Sequence, residues 1–224
     1  MQATFKHPVP VFPLPDLVLF PHAILPLHVF ELRYRTLVRD ALSRDRVILM
    51  ALLKPGHELD YHGSPEFHSL GCLAEFEEVE WLPNDRYDLR LRGTSRARTT
   101  GIVNEFPYRS VRVEPLPEHP FDEEDPIVQI EKRALLDGYG RWTRRLKTAA
   151  GERSAELPSL PQLSEEHPYA GVVNTVCMLS GASARQRLEL LSEDSVIERG
   201  RRVRELLEGR LRRRHPAPPS GESN

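Results

Sequence analysis

Residues 14–34 read LPDLVLFPHAILPLHVFELRY, from Leu14 to Tyr34. Pro15, Pro21 and Pro26 fall five or six residues apart among apolar side chains, and the run passes through Phe30 and Glu31 into Arg33 and Tyr34. Proline has no backbone donor and disfavours helix in the residue before it. The run therefore reads as extended strand interrupted by bends, and a helix can start only after Pro26.

On either side of these bends the pattern gives Val9 to Phe12 and Ile24 to Phe30 as short buried or edge strands. From Glu31 the period changes. Tyr34, Leu37, Val38 and Ala41 share one helical face and Arg33, Arg35, Arg39 and Asp40 the other, which predicts a helix ending near Ser43. Val47 to Leu53 is a continuous apolar run of strand length, as expected of a strand covered on both faces. Lys54 to His68 reads as a loop and Leu70 to Leu82 as a strand that Asn84-Asp85 turns into a hairpin with Tyr87 to Leu91. Gly93 punctuates that strand, Ala97 to Asn104 forms another, and Tyr108 to Glu114 alternates as a last one. The first half is thus mainly β with one helix.

Between Pro115 and Pro126 the composition turns to proline and acid, the mark of a linker. Asp125 with Pro126 opens a helix whose expected buried face is Ile127, Ile130, Leu135, Tyr139, Trp142 and Leu146. A loop over Gly151 to Pro161 follows, then an apolar stripe of Tyr169, Val172, Val173 and Val176. Ser183 with Gln186 and Ser195 with Glu198 have capping-box spacing, and Leu188, Leu191, Val196, Val203, Leu207 and Leu211 supply buried faces. The second half reads as an antiparallel helical bundle. The expected division is a β subdomain over 8–117, a helical subdomain over 122–212 and a disordered tail over 213–224.

With 224 residues, 29% of them charged, a formal net charge of -2 and a pI near 6.5, the chain is an ordinary globular protein and no general coat for nucleic acid. Cys72 and Cys177 lie far apart without CxxC spacing, so a reducing cytoplasm is the expected setting. The start, Met1 to Pro8, has no secretory pattern. Val9 to Phe30 carries five prolines and Asp16, which rules out a membrane span there.

Three stretches now carry a resemblance. PLPDLVLFPHAILPLHVFELRY (Pro13 to Tyr34), GCLAEFEEVEWLPNDRYDLRLRGTSRAR (Gly71 to Arg98) and PYRSVRVEPL (Pro107 to Leu116) resemble the Lon protease amino-terminal domain, in the version found in stand-alone bacterial Lon-domain proteins. RQRLELL (Arg185 to Leu191) and IERGRRVRELL (Ile197 to Leu207) are similar to the family's closing helices. The resemblance implies an α+β fold, a PUA-like β pseudo-barrel followed by a helical-bundle subdomain. It also implies recognition of damaged or unfolded polypeptide, a role in protein quality control that is ATP-independent in the absence of the ATPase and protease domains. No glycine here is followed by lysine, which excludes a P-loop, and no segment resembles the family's serine-lysine motif.

The chemistry-bearing residues point the same way. His57, His62, His68 and Cys72 include zinc-ligand types, but their spacing matches no common site, so no metal and no cofactor is expected. Cys177 lies on an apolar helix stripe, where a buried inert thiol is the rule, and no nucleophile, base and stabiliser come together. The arginines from Arg199 to Arg214 alternate with Glu198, Glu205 and Glu208 at helical pairing distances, a solvated face. The expectation is a non-enzymatic, peptide-binding adaptor, holdase or regulator whose partners are polypeptide clients or a partner protein. Contacts are expected from Phe12, Phe20, Pro21, Pro26 and Phe30 at strand edges. The alternative is a PUA-like RNA- or nucleotide-binding module using Arg90, Arg92, Arg96 and Arg98, a reading by fold analogy.

Overall fold

Val9–Leu14 (β1) and Ile24–Val29 (β2) form on the two proline-bounded apolar runs, and the bends between them close a buried loop in which Val18, Leu19 and Phe20 are almost fully covered. These positions come from a computed structural model, which describes residues 5–56, 65–150 and 160–212. The expectations for His57 and His62, for the loop over 151–159 and for the tail over 213–224 lie outside them.

His22 takes a left-handed φ of 66° at the turn, its N–H donates to the Gly93 carbonyl at 2.7 Å, and the Gly93 N–H donates to the Ala23 carbonyl at 2.9 Å. A Cβ on Gly93 would lie 2.1 Å from the Phe20 carbonyl oxygen, so only glycine admits the loop here. Leu32–Leu42 (α1) follows, burying Tyr34, Leu37, Val38 and Ala41 as the helical spacing requires.

Val47–Leu53 (β3), Phe67–Leu82 (β4), Arg86–Asn104 (β5) and Ser110–Leu116 (β6) complete a mixed sheet of order β2-β5-β4-β3-β1-β6, in which β6 also pairs with β5. β1 and β3 are parallel and the other pairings antiparallel. Asn84 and Asp85, with φ of 64° and 60°, turn β4 into β5; Asn and Asp tolerate that conformation best among residues with a side chain. The sheet curls into a pseudo-barrel but is not closed, since β1 meets β6 only at Val9–Val111 and Pro10–Ser110. Val9, Val11, Leu49, Ala51, Leu73, Ala97 and Val111 form its inner core. One expectation is corrected: Gly93 does not separate two strands. β5 runs on through it, pairing with β4 up to Arg98 and with β6 from Arg96.

The chain divides into two compact units, Met1–Glu118 with Ser183–Asp194, and His119–Ala182 with Ser195–Asn224. The helix Ala184–Leu191 (α4), expected in the helical bundle, thus groups with the sheet. Ser183 and Gln186 close a full capping box at its start.

The second unit holds the helices Pro126–Ala150 (α2), Tyr169–Leu179 (α3) and Val196–Arg212 (α5). α2 and α5 run in the same direction rather than antiparallel. Glu131 is gripped by Arg201 at 2.9 Å and Arg204 at 3.2 Å, and further towards the C-terminal ends of both helices Arg145 donates to the Leu211 carbonyl. Leu135, Tyr139 and Trp142 are buried, but Ile127 and Ile130 are 57% and 64% exposed; Val128 and Lys132 take the inner positions in the first turns. Arg199 is fully buried, donating to Asn174 Oδ1 at 2.6 Å, and so leaves the solvated arginine face.

Candidate functional site

β2 is the free margin of the sheet: it pairs with β5 alone, and among the described residues no strand covers its outer side. Pro26 suits that place. A proline offers no N–H to a ladder and is tolerated in a strand where its nitrogen faces outward. Ile24, Pro26 and His28 share that side by the period of two.

Exposed apolar side chains lie at and near the end of β2. Phe30 is 59% exposed and Leu32, the first residue of α1, is 69% exposed. Val29 pairs with Tyr87, which pairs with Trp81, so Trp81, 73% exposed, stands two strand spacings, about 10 Å, from the end of β2. Arg35 of α1 holds this corner together by donating to the carbonyls of Asn84 and Asp85 and pairing with the Asp85 carboxylate at 3.3 Å. His28 hydrogen-bonds Asp88 at 2.6 Å and stacks on Phe30, with ring centroids 6.1 Å apart. Phe30 is thereby held beside the open backbone.

Of the side chains expected to touch a peptide, Pro26 and Phe30 are exposed at this edge. Phe12, Phe20 and Pro21 are buried: Phe12 stacks on Tyr34 at 4.3 Å and Phe20 lies under the loop that crosses Gly93. Their apolar character served the core. Leu32 and Trp81 are further candidates that the sequence pattern does not single out. The alternation that would have set Trp81 apart from its acidic neighbours is broken by a register shift between Phe76 and Glu78.

The arginine cluster does not come together as a surface. Arg96 is 1% exposed, while Arg90 and Arg92 pair with Glu77 and Glu78 on β4; Arg98 is exposed. A second apolar prominence sits at the end of β5 and the turn after it, where Ile102, Val103 and Phe106 are 51%, 44% and 75% exposed.

Catalytic chemistry finds little support. Cys72 and Cys177 are free and buried, and burial pushes the Cys177 thiol up to about 12, so it stays protonated and inert. Among the described residues no group of histidine, cysteine and carboxylate side chains is arranged to hold a metal ion. No helix among them is long and apolar enough to cross a membrane.

Residues 8–209 match the family model of the ATP-dependent protease La (LON) substrate-binding domain. The chain belongs to the Lon substrate-binding domain family. Among solved structures, a Lon N-terminal domain protein from Xanthomonas campestris is 26% identical, with a TM-score of 0.60 over 88% of this chain and 96% of that one. The N-terminal domain of the Mycobacterium avium complex Lon protease, 18% identical with a TM-score of 0.61 over 90% of this chain and 98% of that one, shares the fold. Lon protease 2 of Sorangium cellulosum is 29% identical over 168 residues, 75% of this chain. The chain spans only 19% of that protein's length. The Lon-domain match thus takes in the sheet and the helices alike, and the free edge of β2 belongs to it.

Proposed function

We propose that this Lon-type domain binds extended apolar segments of unfolded polypeptide along the outer edge of β2, as a non-catalytic adaptor or holdase. One observation carries the reading. The open strand edge runs directly into the exposed Phe30 and Leu32, with the exposed Trp81 two strands further in, so backbone pairing and apolar anchoring are available to one ligand. The match to a substrate-binding domain supports it.

Magnitudes say which part dominates. Backbone hydrogen bonds contribute about 1 kcal/mol each, and a six-residue edge interrupted by a proline offers only a handful. Association costs at least about 4 kcal/mol, so the edge alone binds weakly. Burying an exposed aromatic or leucine side chain adds about 1.5–3 kcal/mol, which brings the total toward the roughly 8 kcal/mol of micromolar binding. Affinity then follows the apolar content of the client, and the edge sets only its extended form. A cytoplasmic setting belongs to this proposal, and the free thiols of Cys72 and Cys177 suit a reducing compartment.

The test is titration with a reduced, unfolded model protein, read by anisotropy while circular dichroism monitors the fold. Binding is expected at micromolar concentration. It should weaken by about tenfold or more in Phe30→Ser and Trp81→Ser, consistent with the loss of one buried anchor, and be unchanged in Phe106→Ser. Absence of binding by the folded protein, or equal losses in all three variants, overturns the site. RNA is not favoured as ligand, because Arg96 is buried and Arg90 and Arg92 are paired.

A further inference from the structure

The buried guanidinium of Arg96 has an unusual set of partners. Its side chain is fully covered. Nη1 donates to the Leu191 carbonyl at 3.1 Å and meets Asp194 Oδ1 at 2.8 Å; Nη2 donates to the Pro117 carbonyl at 2.8 Å; and Nε lies 3.6 Å from Glu118 Oε1. Arg96 sits where β5 passes from pairing with β4 alone to pairing also with β6. All its partners lie at the ends of the segments of the sheet unit. The chain leaves that unit after Glu118 and again after Asp194. One side chain thus holds the last residues before two of the three crossings.

A plain structural role does not need this arrangement. A buried charge is costly unless paired, and a packed apolar residue at such a site is commonly as stable or more so. What the guanidinium supplies is a rigid fork that reaches two separate chain segments at once, which neither an ammonium nor an apolar group can do. Asp194 keeps 57% and Glu118 24% of its side-chain surface exposed, so both counter-charges stay accessible to solvent and salt.

We propose that Arg96 is a clamp that fixes both chain crossings to the sheet, and that Asp194 and Glu118 make the clamp releasable. With it closed, residues 117–118 and 191–194 are ordered parts of the sheet unit. With it open, the two crossings become free linkers, while α4 keeps the burial of Leu190 and Leu191 and the hydrogen bond from Arg187 to the Asp16 carbonyl. The clamp is a conformational device independent of what the β2 edge binds.

Hydrogen exchange on the full chain tests it. In Arg96→Met, amides at 117–120 and 183–196 should exchange at least about tenfold faster while those of β3 and β4 stay within about twofold of the parent; Arg96→Lys should fall between. Should Arg96→Met fail to fold, Asp194→Asn combined with Glu118→Gln leaves the arginine in place, and about threefold faster exchange confined to those two segments is the expected result. Unchanged exchange there, or an equal rise throughout the sheet, overturns the clamp in either variant.

Discussion

Gly93 shows how much can rest on one residue. It reads as a strand breaker in the sequence, yet the strand continues through it, because glycine is there to admit the Phe20 carbonyl. That carbonyl comes from the distant Leu14–Tyr34 stretch, and no local pattern records its approach. Gly93→Ala is expected to lower stability by about 1–3 kcal/mol, as for other overpacked sites, measured by urea unfolding. Gly140 in α2 is the opposite case: a Cβ there meets nothing within 4 Å, so Gly140→Ala should raise stability by about 0.5–1 kcal/mol. Titration follows from burial too. Burial and the hydrogen bond to Asp40 push the Tyr108 hydroxyl up to about 12, and burial does the same to Tyr139. Because the folded values exceed the unfolded value near 10, these tyrosines stabilise the protein fully below pH 10. Their contribution is lost as pH rises toward 12, so the melting temperature should fall over that window, and less in Tyr108→Phe than in the parent.

At the scale of elements, most of what the sequence showed was periodicity, and periodicity held where one face meets one environment. β3 reads as a continuous apolar run and is buried throughout but for its first residue, and α1 buries the face its spacing names. The expected face of α2 failed in its first turns, where Ile127 and Ile130 point outward and Lys132 is buried, its ammonium donating to the Glu165 carbonyl. A lysine with an apolar stem can fill a core position when its head finds a carbonyl, and sequence pattern alone does not show that. The candidate site was half legible for a related reason. Proline left Ile24 to Phe30 open as a buried or an edge strand, and Pro26 lies on the edge strand while Pro10 and Pro13 lie on the doubly paired β1; the aromatics of the same stretch likewise divide between core and surface by tertiary packing. If Pro26 protects the edge as well as shaping it, Pro26→Thr restores a donor to an otherwise unpaired margin. Light scattering and size-exclusion chromatography should then show self-association at concentrations where the parent stays dispersed. The variant staying equally dispersed would mean that the edge is protected by something else.

Over the whole molecule, a β half and a helical half were visible from composition and the shift at Pro115 to Pro126, but the return of α4 to the sheet was not. Its capping box and leucines suit a bundle equally well; what places it is a buried arginine on β5. Two units that divide the chain in this way need not unfold together. Their two tryptophans separate them: Trp142 is buried in the helical unit and Trp81 is exposed in the sheet unit. In Trp81→Phe, fluorescence reports Trp142 and hence the helical unit alone. Its urea transition is expected to differ in midpoint from that of β-sheet circular dichroism, and the protection of amides in α4 should be lost with the sheet signal rather than with Trp142. Coincident transitions would show one cooperative unit, and loss of α4 protection with Trp142 would return that helix to the bundle in which the sequence alone had placed it.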